Sequence, residues 1–433
     1  MTKRSKPPKK RDISPSPPEL RGQRSGENHF SRLRPLVVVG LIAAVYLFRI
    51  DRPPLWCDEA ETGIEARSIL RCGLPVAYDG RNLSLYESGI QVNKNFVYKE
   101  VPWVQYGLGA LSIAIFGDNA AGLRILFALV GVAAFFPIYA VLKKRVAHPD
   151  IVAAMALLAP QIVLFQRNAR YFSILILIYS LLVWHLSSDV KNSKGRYAIA
   201  VLIFLFFFHT HPFVALCSSV SLLLYCLLFS RKSLLMYAIS SIAGFVSWFV
   251  WHELLGPSLS DMGLLGSILS LIRDNFGFYI QYVWQSFLLL LVDMDAANCL
   301  PLLFWALISG SLIYRAIYRA RKAVANRISD PLPIFVFLNI VVQMVATSAI
   351  LGHVQEYGYT NTHLPLSYLR FMPHLLVFAM LSGFIILESI IPDKRLCLLS
   401  CAIVIVFNPF TLSYWASPFA RSVPVSWAAP VYA

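Results

Sequence analysis

The sequence predicts an all-α integral membrane protein. Of its 433 residues, 57% are hydrophobic and only 14% are charged, and the mean hydropathy is +0.62. Apolar stretches near or above the roughly 18 residues needed to cross a bilayer recur along the chain. No polar stretch between them is long enough to form a soluble domain with its own core. We therefore expect one polytopic domain of about 11 transmembrane helices, within a range of about 10 to 13.

The first 34 residues differ in kind from the rest. They contain ten Lys or Arg, three acidic residues and five Pro, with almost no apolar side chains. Such a segment cannot bury enough apolar surface to fold, so we expect residues 1–34 to be a disordered tail. Because basic residues concentrate on the cytoplasmic side of membranes, this tail is predicted to be cytoplasmic. It carries much of the net charge of +15, so the basicity does not indicate a nucleic-acid partner.

Charge also orients the predicted membrane domain, residues 35–414, which a short tail at 415–433 follows. Basic clusters at 143–145, 191–196 and 315–327 fall in the predicted inner loops, whereas the first outer loop, residues 51–121, is rich in acidic residues. Two further apolar segments are 101–116 and 278–292. If either one alone crossed the membrane, basic clusters would lie on the outer side, so we assign both to amphipathic helices on the outer face. The predicted spans are 35–50, 122–142, 151–166, 171–186, 197–210, 213–229, 234–251, 300–317, 332–351, 371–390 and 396–413.

Two adjacent carboxylates, Asp58 and Glu59, follow the first predicted span in the run Trp56-Cys57-Asp58-Glu59-Ala60. A carboxylate at a membrane edge is costly unless it is solvated, paired or bound to a cation. A solvated loop start is one reading, and a functional site at the mouth of a helical bundle is the other. Cys57 and Cys72 share this outer loop, and their pairing stays open because the chain has seven Cys. No Cys or His spacing predicts a metal site.

Seven features of the chain, beginning with this acidic run, resemble those of a known family in their order. The order is similar to that of the GT-C glycosyltransferases of the polyprenyl-phosphate-dependent type, the superfamily of the protein O-mannosyltransferases and the lipid A aminoarabinose transferase. The features are the acidic run Asp58-Glu59-Ala60-Glu61, the turn Gly73-Leu74-Pro75, Tyr98-Lys99-Glu100-Val101-Pro102-Trp103, Phe116-Gly117-Asp118 with Gly122-Leu123-Arg124, Arg167-Asn168-Ala169-Arg170-Tyr171, His209-Thr210-His211-Pro212 and Tyr368-Leu369-Arg370-Phe371-Met372-Pro373.

The resemblance implies a multi-pass enzyme of the plasma (inner) membrane. It would move a sugar from a polyprenyl-phosphate donor to a lipid, glycan or protein acceptor at the outer face, embedded in the lipid bilayer and without nucleic acid. It requires no obligatory cofactor, although a divalent cation is compatible with it. The chain departs from the family pattern where Glu100 and Val101 separate Lys99 from Pro102, which makes Lys94 a competitor for the role of the lysine.

The resemblance also implies roles for individual residues. Asp58 would be the general base that takes the proton of the acceptor hydroxyl, and Glu59 would orient Asp58, position a cation or remain solvated. Cationic side chains would support the departing phosphate, and direct displacement would invert the anomeric centre. The donor phosphate group would meet Lys99, Arg170 and Arg370, and further substrate contacts would come from Tyr98, Arg167, His211 and Glu356.

Simpler readings stand beside these roles. Arg167 and Arg170 could anchor a span end at the lipid headgroups, and His211 could cap a helix. A transporter or a non-catalytic membrane scaffold is the alternative for the whole protein. A transporter is expected to carry ionisable or helix-breaking residues near the middle of the membrane, and often related halves. Here the charges cluster at the outer ends of predicted spans, and the altered lysine-proline element is what favours a scaffold.

Overall fold

A computed structural model describes residues 29–52, 57–84, 92–98, 103–188, 194–255, 331–356 and 372–390, with isolated positions elsewhere. The predicted tail at 1–34 therefore lies almost entirely outside the described residues, as do the predicted spans at 300–317 and 396–413, the tail at 415–433 and most of 278–292.

The described residues form thirteen named helices, joined by turns and a loop with isolated β-bridges such as Val76 to Val97. This confirms the all-α expectation. The helices are α1 (His29–Leu47), α2 (Cys57–Cys72), α3 (Trp103–Phe116), α4 (Ala120–Ala133), α5 (Phe135–Leu142), α6 (Pro149–Leu157), α7 (Pro160–Gln166), α8 (Phe172–Ser187), α9 (Lys194–Thr210), α10 (Pro212–Phe229), α11 (Arg231–Leu254), α12 (Pro331–Glu356) and α13 (Pro373–Ile390).

Four helical segments in the described part of the chain are long and apolar enough to cross a membrane. They are Ala120–Leu142, which joins α4 and α5, Pro212–Phe229, Arg231–Leu254 and Leu332–Ala349. Shorter apolar helices include Phe172–Ser187 and Pro373–Ile386. The chain is thus a multi-pass membrane protein, and the total of about 11 spans stays a prediction.

The predicted span at 151–166 is interrupted. The structure has α6 and α7 in its place, with a break at Leu158 and Ala159. Pro160 is the cause: it lacks a backbone N–H, and it pushes the preceding residue away from helical angles. Ala159 accordingly has φ −56° and ψ 132°. The proline then begins α7, where its missing donor costs little.

The helix α8 lies at the centre of the bundle. It packs against α4, α5, α9 and α13, while α10 lies between α11 and α12. Residues on nearly all sides of α8 are buried, including Leu175, Tyr179 and Leu182. A helix that is apolar all round is expected in this central position.

Basic loops that are distant in sequence meet at one end of the bundle. Arg34 forms an ion pair with Asp150 at the start of α6, and Arg145 donates to the Ser187 hydroxyl at the end of α8. At the other end lie the last residues of α1 and the outer loop with α2 and α3. Arg34 and Arg145, which the charge pattern predicts to lie on the same side of the membrane, thus lie at the same end of the bundle. Which side is cytoplasmic stays a prediction.

The outer loop is built on α2 and α3, which pack against each other, and α3 also packs against α4. After α2 the chain turns at Gly73, whose φ of +78° is a conformation that favours glycine. The buried face of α3 contains Gln105, Tyr106 and Gly109, and a Cβ on Gly109 would lie 3.2 Å from the Ala66 side chain. This close approach holds the acidic face of α2 against α3. That α3 lies on the outer membrane face stays a prediction.

Candidate active site

Asp58 and Arg170 form a buried ion pair. Asp58 lies in the first turn of α2, where the helix dipole favours a carboxylate, and is 2% exposed. Arg170 lies in the turn between α7 and α8 and is 9% exposed. Its Nη2 is 3.0 Å from Asp58 Oδ2, and its Nη1 donates to the Asp58 carbonyl over 3.3 Å. The structure therefore joins the predicted base to a predicted phosphate ligand.

Glu61 extends this pair into a cluster. Its Oε2 lies 3.5 Å from Arg170 Nη1, and its Oε1 accepts a hydrogen bond of 3.0 Å from the Tyr106 hydroxyl. Arg170 thus contacts two carboxylates three residues apart, which lie on the same face of α2. Charge pairing raises the pKa of Arg170 despite the opposing effect of burial, so the guanidinium stays charged.

Glu59 points to a different partner. Arg124 on α4 grips it with two hydrogen bonds, one of 2.8 Å from Nε to Oε1 and one of 2.5 Å from Nη2 to Oε2. The backbone N–H of Ala169 also donates to Oε1 over 2.9 Å. Glu59 is 1% exposed, so it is not a solvated side chain. It joins α2, α4 and the turn before α8, and thereby fixes the position of the neighbouring Asp58.

A chain of neutral hydrogen bonds braces the same region. Gln105 on α3 donates from Nε2 to the Thr62 hydroxyl over 2.6 Å, and its Oε1 accepts from the backbone N–H of Tyr171 over 3.0 Å. Thr62 in turn donates to the Asp58 carbonyl over 3.0 Å. A buried, fully bonded network of this kind rigidifies its surroundings. It holds α2 and α3 against the start of α8.

His211 reaches the site through Tyr171. It is the N-cap residue of α10, and its Nδ1 accepts from the backbone N–H of Val214. Its ring meets Tyr171 edge to face with centroids 4.8 Å apart, and the Arg170 guanidinium lies 5.7 Å from the centroid of the same tyrosine. His211 thus both caps a helix and lies one residue away from the ion pair.

The chain matches no protein-family model and no curated protein. Two solved structures are similar to it. The crystal structure of ArnT from Cupriavidus metallidurans bound to undecaprenyl phosphate has a TM-score of 0.49 and 15% sequence identity, over 87% of this chain and 76% of that chain. The structure of ArnT from Cupriavidus metallidurans in the apo state has a TM-score of 0.45 and 15% identity, over 87% and 75%.

Two other predicted site residues lie away from the ion pair. Arg167 donates from Nη2 to the carbonyl of Phe48 over 2.7 Å and to that of Arg49 over 3.1 Å, so it satisfies the end of α1. Tyr98 is fully buried beside Tyr106, with ring centroids 6.4 Å apart, and donates to the Ser84 carbonyl. Lys99, Arg370 and the side chain of Glu356 lie outside the described residues.

The pairing of Cys57 with Cys72 is decided by α2. The two residues are its first and last, so about 1.5 Å of rise per residue places them more than 20 Å apart. A disulfide needs Cα atoms within about 7 Å. Cys72 is accordingly a free thiol, and its Sγ lies 3.2 Å from the Ser68 carbonyl. Among the described residues no group of three or more His, Cys, Asp or Glu could hold a metal ion.

Four important residues, Glu61, Arg124, Gln105 and Tyr106, are missing from the site predicted from sequence, although Glu61 stood in the acidic run Asp58-Glu59-Ala60-Glu61. Arg124 stood in the motif Gly122-Leu123-Arg124, so a signal for it existed. Gln105 and Tyr106 follow Trp103 in an apolar run, and nothing in their local sequence distinguishes them from core residues. Their importance comes from the packing of α3 on α2.

Glu65 lies one turn beyond Glu61 and is 0% exposed, and within the described part of the chain neither of its carboxylate oxygens has a hydrogen-bond partner. Burial, with help from nearby Glu61, raises its pKa from 4.5 to about 9. At neutral pH this side chain is therefore an uncharged acid.

We expect Glu65→Gln to stabilise the protein above pH 5. In the unfolded chain Glu65 ionises near its ordinary pKa of 4.5, so between pH 4.5 and about 9 folding requires proton uptake. Wild-type stability then falls with pH by about 1.4 kcal/mol per unit in this window, and the glutamine variant lacks this loss. Melting curves of the detergent-solubilised proteins at pH 5 and pH 8 test it. Equal stability differences at both pH values would contradict a protonated Glu65.

Proposed function

We propose that this protein is a glycosyltransferase that moves a sugar from a polyprenyl-phosphate donor to an acceptor at the outer face of the plasma membrane. The observation that carries the proposal is the 3.0 Å contact between the Asp58 carboxylate and the Arg170 guanidinium, at the end of the bundle that holds the outer loop. This contact joins a potential base and a phosphate-binding cation in a site away from bulk water. The resemblance of the ordered motifs supports the same function.

In the proposed reaction, Asp58 accepts the proton of an acceptor hydroxyl, whose oxygen attacks the anomeric carbon of the donor sugar. The bond from that carbon to the phosphate oxygen breaks, and its electron pair leaves with the lipid phosphate. Arg170, together with Lys99 and Arg370, supports the phosphate through charge-assisted hydrogen bonds. Because attack and departure occur on opposite faces of the carbon, the anomeric configuration inverts.

The Nε–H group of Arg170 is a hydrogen-bond donor that could bind a phosphate oxygen of the donor lipid. This Nε is buried and has no hydrogen-bond partner among the residues that the structure describes, although the two Nη atoms contact Asp58 and Glu61. A buried N–H left unbonded costs about 1 to 3 kcal/mol. A phosphate oxygen would satisfy this N–H, and it would compete with Asp58 for the guanidinium. Donor binding would thereby release the Asp58 carboxylate to act as a base.

The experiment is transfer of radiolabelled sugar from a panel of polyprenyl-phosphate sugars in membranes with and without the protein. We expect the sugar of one donor to label a lipid, glycan or protein fraction, and we expect this transfer to continue in the presence of EDTA. NMR of the product should show an inverted anomeric configuration. A retained configuration would contradict direct displacement. Absence of transfer from every donor with the folded protein would contradict the proposed function.

A transporter remains the second candidate because polar side chains meet inside the bundle. Asn339 on α12 donates from Nδ2 to the Tyr179 hydroxyl over 2.9 Å and to the Ser218 hydroxyl over 3.1 Å. His374 lies against Tyr179, with ring centroids 4.7 Å apart, and neither of its ring nitrogens is hydrogen-bonded to a described residue. Intramembrane polar groups often mark a substrate path. Uptake of labelled sugars into proteoliposomes without any transfer would favour this candidate.

A further inference from the structure

A cavity of about 330 Å³ lies at the end of the bundle opposite the candidate active site. It is formed by the end of α5, the turn that follows α5, and the end of α8, and these two helices pack against each other. Its size falls at the low end of the roughly 300 to 1,000 Å³ typical of ligand sites. The lining includes Ala140, Lys144, Arg145, Trp184, Ser187 and Ser188.

Two basic side chains line this cavity. Arg145 is held in place, because its Nη1 donates to the Val141 carbonyl over 2.7 Å and its Nη2 donates to the Ser187 hydroxyl over 3.3 Å. Lys144 beside it is exposed, so its flexible side chain can move to meet a ligand. Because the Ser187 oxygen accepts from Arg145, its own hydroxyl hydrogen can be donated to an anion. The cavity therefore offers two charged donors and a hydroxyl donor.

The charge around the cavity is positive. Both α5 and α8 end here, and each helix end is equivalent to roughly half a negative charge. The two full charges of Lys144 and Arg145 exceed the sum of these helix ends. The segment after α8, residues 188–196, adds three basic residues and one acidic residue in sequence. The cavity therefore favours an anionic ligand.

An apolar stripe beside the cavity indicates that this anion belongs to a lipid. Phe136 lies one turn before Ala140 and is 55% exposed, and Leu129 lies two turns before Phe136 and is 39% exposed. These spacings place the three residues on one face of Ala120–Leu142, which is long and apolar enough to cross a membrane. The stripe extends about 16 Å from the cavity. Trp184 lies at the cavity, and tryptophan is enriched at the boundary between lipid and water.

We infer that this cavity binds the phosphate headgroup of an anionic phospholipid, whose acyl chains lie along Phe136 and Leu129. Basic pockets between transmembrane helices on the cytoplasmic side of membranes bind such headgroups. A soluble phosphate ester shares the headgroup chemistry, but it has no chain to cover the exposed apolar stripe. The site lies at the other end of the bundle from Asp58 and Arg170, and its assignment does not rest on the proposed function.

Lipid binding to the detergent-solubilised protein tests this inference. Native mass spectrometry measures the fraction of protein that retains one phosphatidylglycerol, with phosphatidylcholine as the neutral reference lipid. Lys144→Gln removes one charge at an exposed position, and Lys144→Gln combined with Arg145→Gln removes both charges. Lys143→Gln is the matched control, because Lys143 is adjacent and also exposed but does not line the cavity.

We expect Lys144→Gln to weaken phosphatidylglycerol binding about fivefold, the effect of one cation near a lipid headgroup, and the double variant to weaken it about 25-fold. Phosphatidylcholine should bind more weakly than phosphatidylglycerol to the wild-type protein and equally to all variants. Lys143→Gln should change phosphatidylglycerol binding by less than about twofold. An equal loss in Lys143→Gln and Lys144→Gln would show a diffuse attraction to the basic surface, and it would overturn the assignment to the cavity.

A variant that keeps every charge tests the cavity itself. Ala140→Phe places a ring in the cavity and should weaken phosphatidylglycerol binding about fivefold or more through steric conflict. Ala133→Phe is its control, because Ala133 is also half-buried and lies two turns earlier in the same helical segment. Melting temperatures establish that each variant is folded, and the Ala140 and Lys144 variants keep the test decisive if loss of Arg145 prevents folding. Unchanged binding by a folded Ala140→Phe protein would overturn the assignment.

A competition experiment distinguishes a lipid from a soluble phosphate ester. Glycerol 3-phosphate at the same concentration as phosphatidylglycerol should not displace the lipid from the wild-type protein, because it cannot cover the apolar stripe. Displacement at equal concentration would show a site for soluble phosphate esters and would overturn the lipid assignment. Sugar transfer is not measured in any of these experiments, so their outcome is independent of the proposed function.

Discussion

Replacement of Asp58 with Asn is expected to reduce sugar transfer by about 10²- to 10⁴-fold. The amide keeps the size of the side chain, and its oxygen can still accept the hydrogen bond of Arg170 that now spans 3.0 Å. It cannot take a proton from an acceptor hydroxyl. The expected change is therefore in kcat, while the KM for the donor should stay within about threefold because Arg170 remains charged and contacts Glu61.

The matched control is Asp51→Asn. Asp51 lies in the same outer loop but is exposed, and its replacement should leave transfer within about twofold. Membrane insertion and the melting temperature of both variants establish that the protein is folded. Transfer by a folded Asp58→Asn protein at more than a third of the wild-type rate would contradict the assignment of the base and leave the donor assignment intact.

The second large effect is on stability. Arg124→Met is expected to destabilise the protein by about 3 to 5 kcal/mol, because it leaves the Glu59 carboxylate buried without its charge partner. Arg124 and Glu59 are 3% and 1% exposed at their side chains, so water cannot replace the lost guanidinium. The double variant Glu59→Gln with Arg124→Met removes both charges, and it should recover much of the loss.

A more exposed ion pair, Arg67 with Asp118, provides the control for the stability effect of Arg124→Met. Arg67 Nη1 lies 3.1 Å from Asp118 Oδ1, and the two side chains are 32% and 54% exposed, so water reaches this pair. Asp118→Asn should therefore cost less than about 1 kcal/mol. Melting temperatures in one detergent provide the measurement. If Arg124→Met were no more harmful than Asp118→Asn, the Glu59 and Arg124 contact would not hold α2 against α4 as inferred.

The positions of several helices can be predicted from local sequence alone. The predicted spans at 171–186, 213–229 and 332–351 correspond to Phe172–Ser187, Pro212–Phe229 and Pro331–Glu356. The agreement has a physical basis, since an apolar run in a membrane must satisfy its backbone hydrogen bonds within one helix. The prediction of one continuous span at 151–166 was wrong at Ala159, because it rested on the length of the apolar run. Pro160 interrupts the helix through the backbone and does not change that length.

The sequence by itself determined that this is a helical membrane protein, and it placed Asp58 and Arg170 among the predicted site residues. Only the tertiary structure decided which groups meet. Arg170 pairs with Asp58, 112 residues earlier, whereas the adjacent Glu59 pairs with Arg124, and Arg167 serves the end of α1. Hydropathy and charge patterns act over a few residues, but partners of buried charges depend on how distant helices pack. Helix packing therefore pairs Glu59 with Arg124 in a contact that joins α2 to α4, and places Asp58 beside Arg170, the cation that we propose binds phosphate.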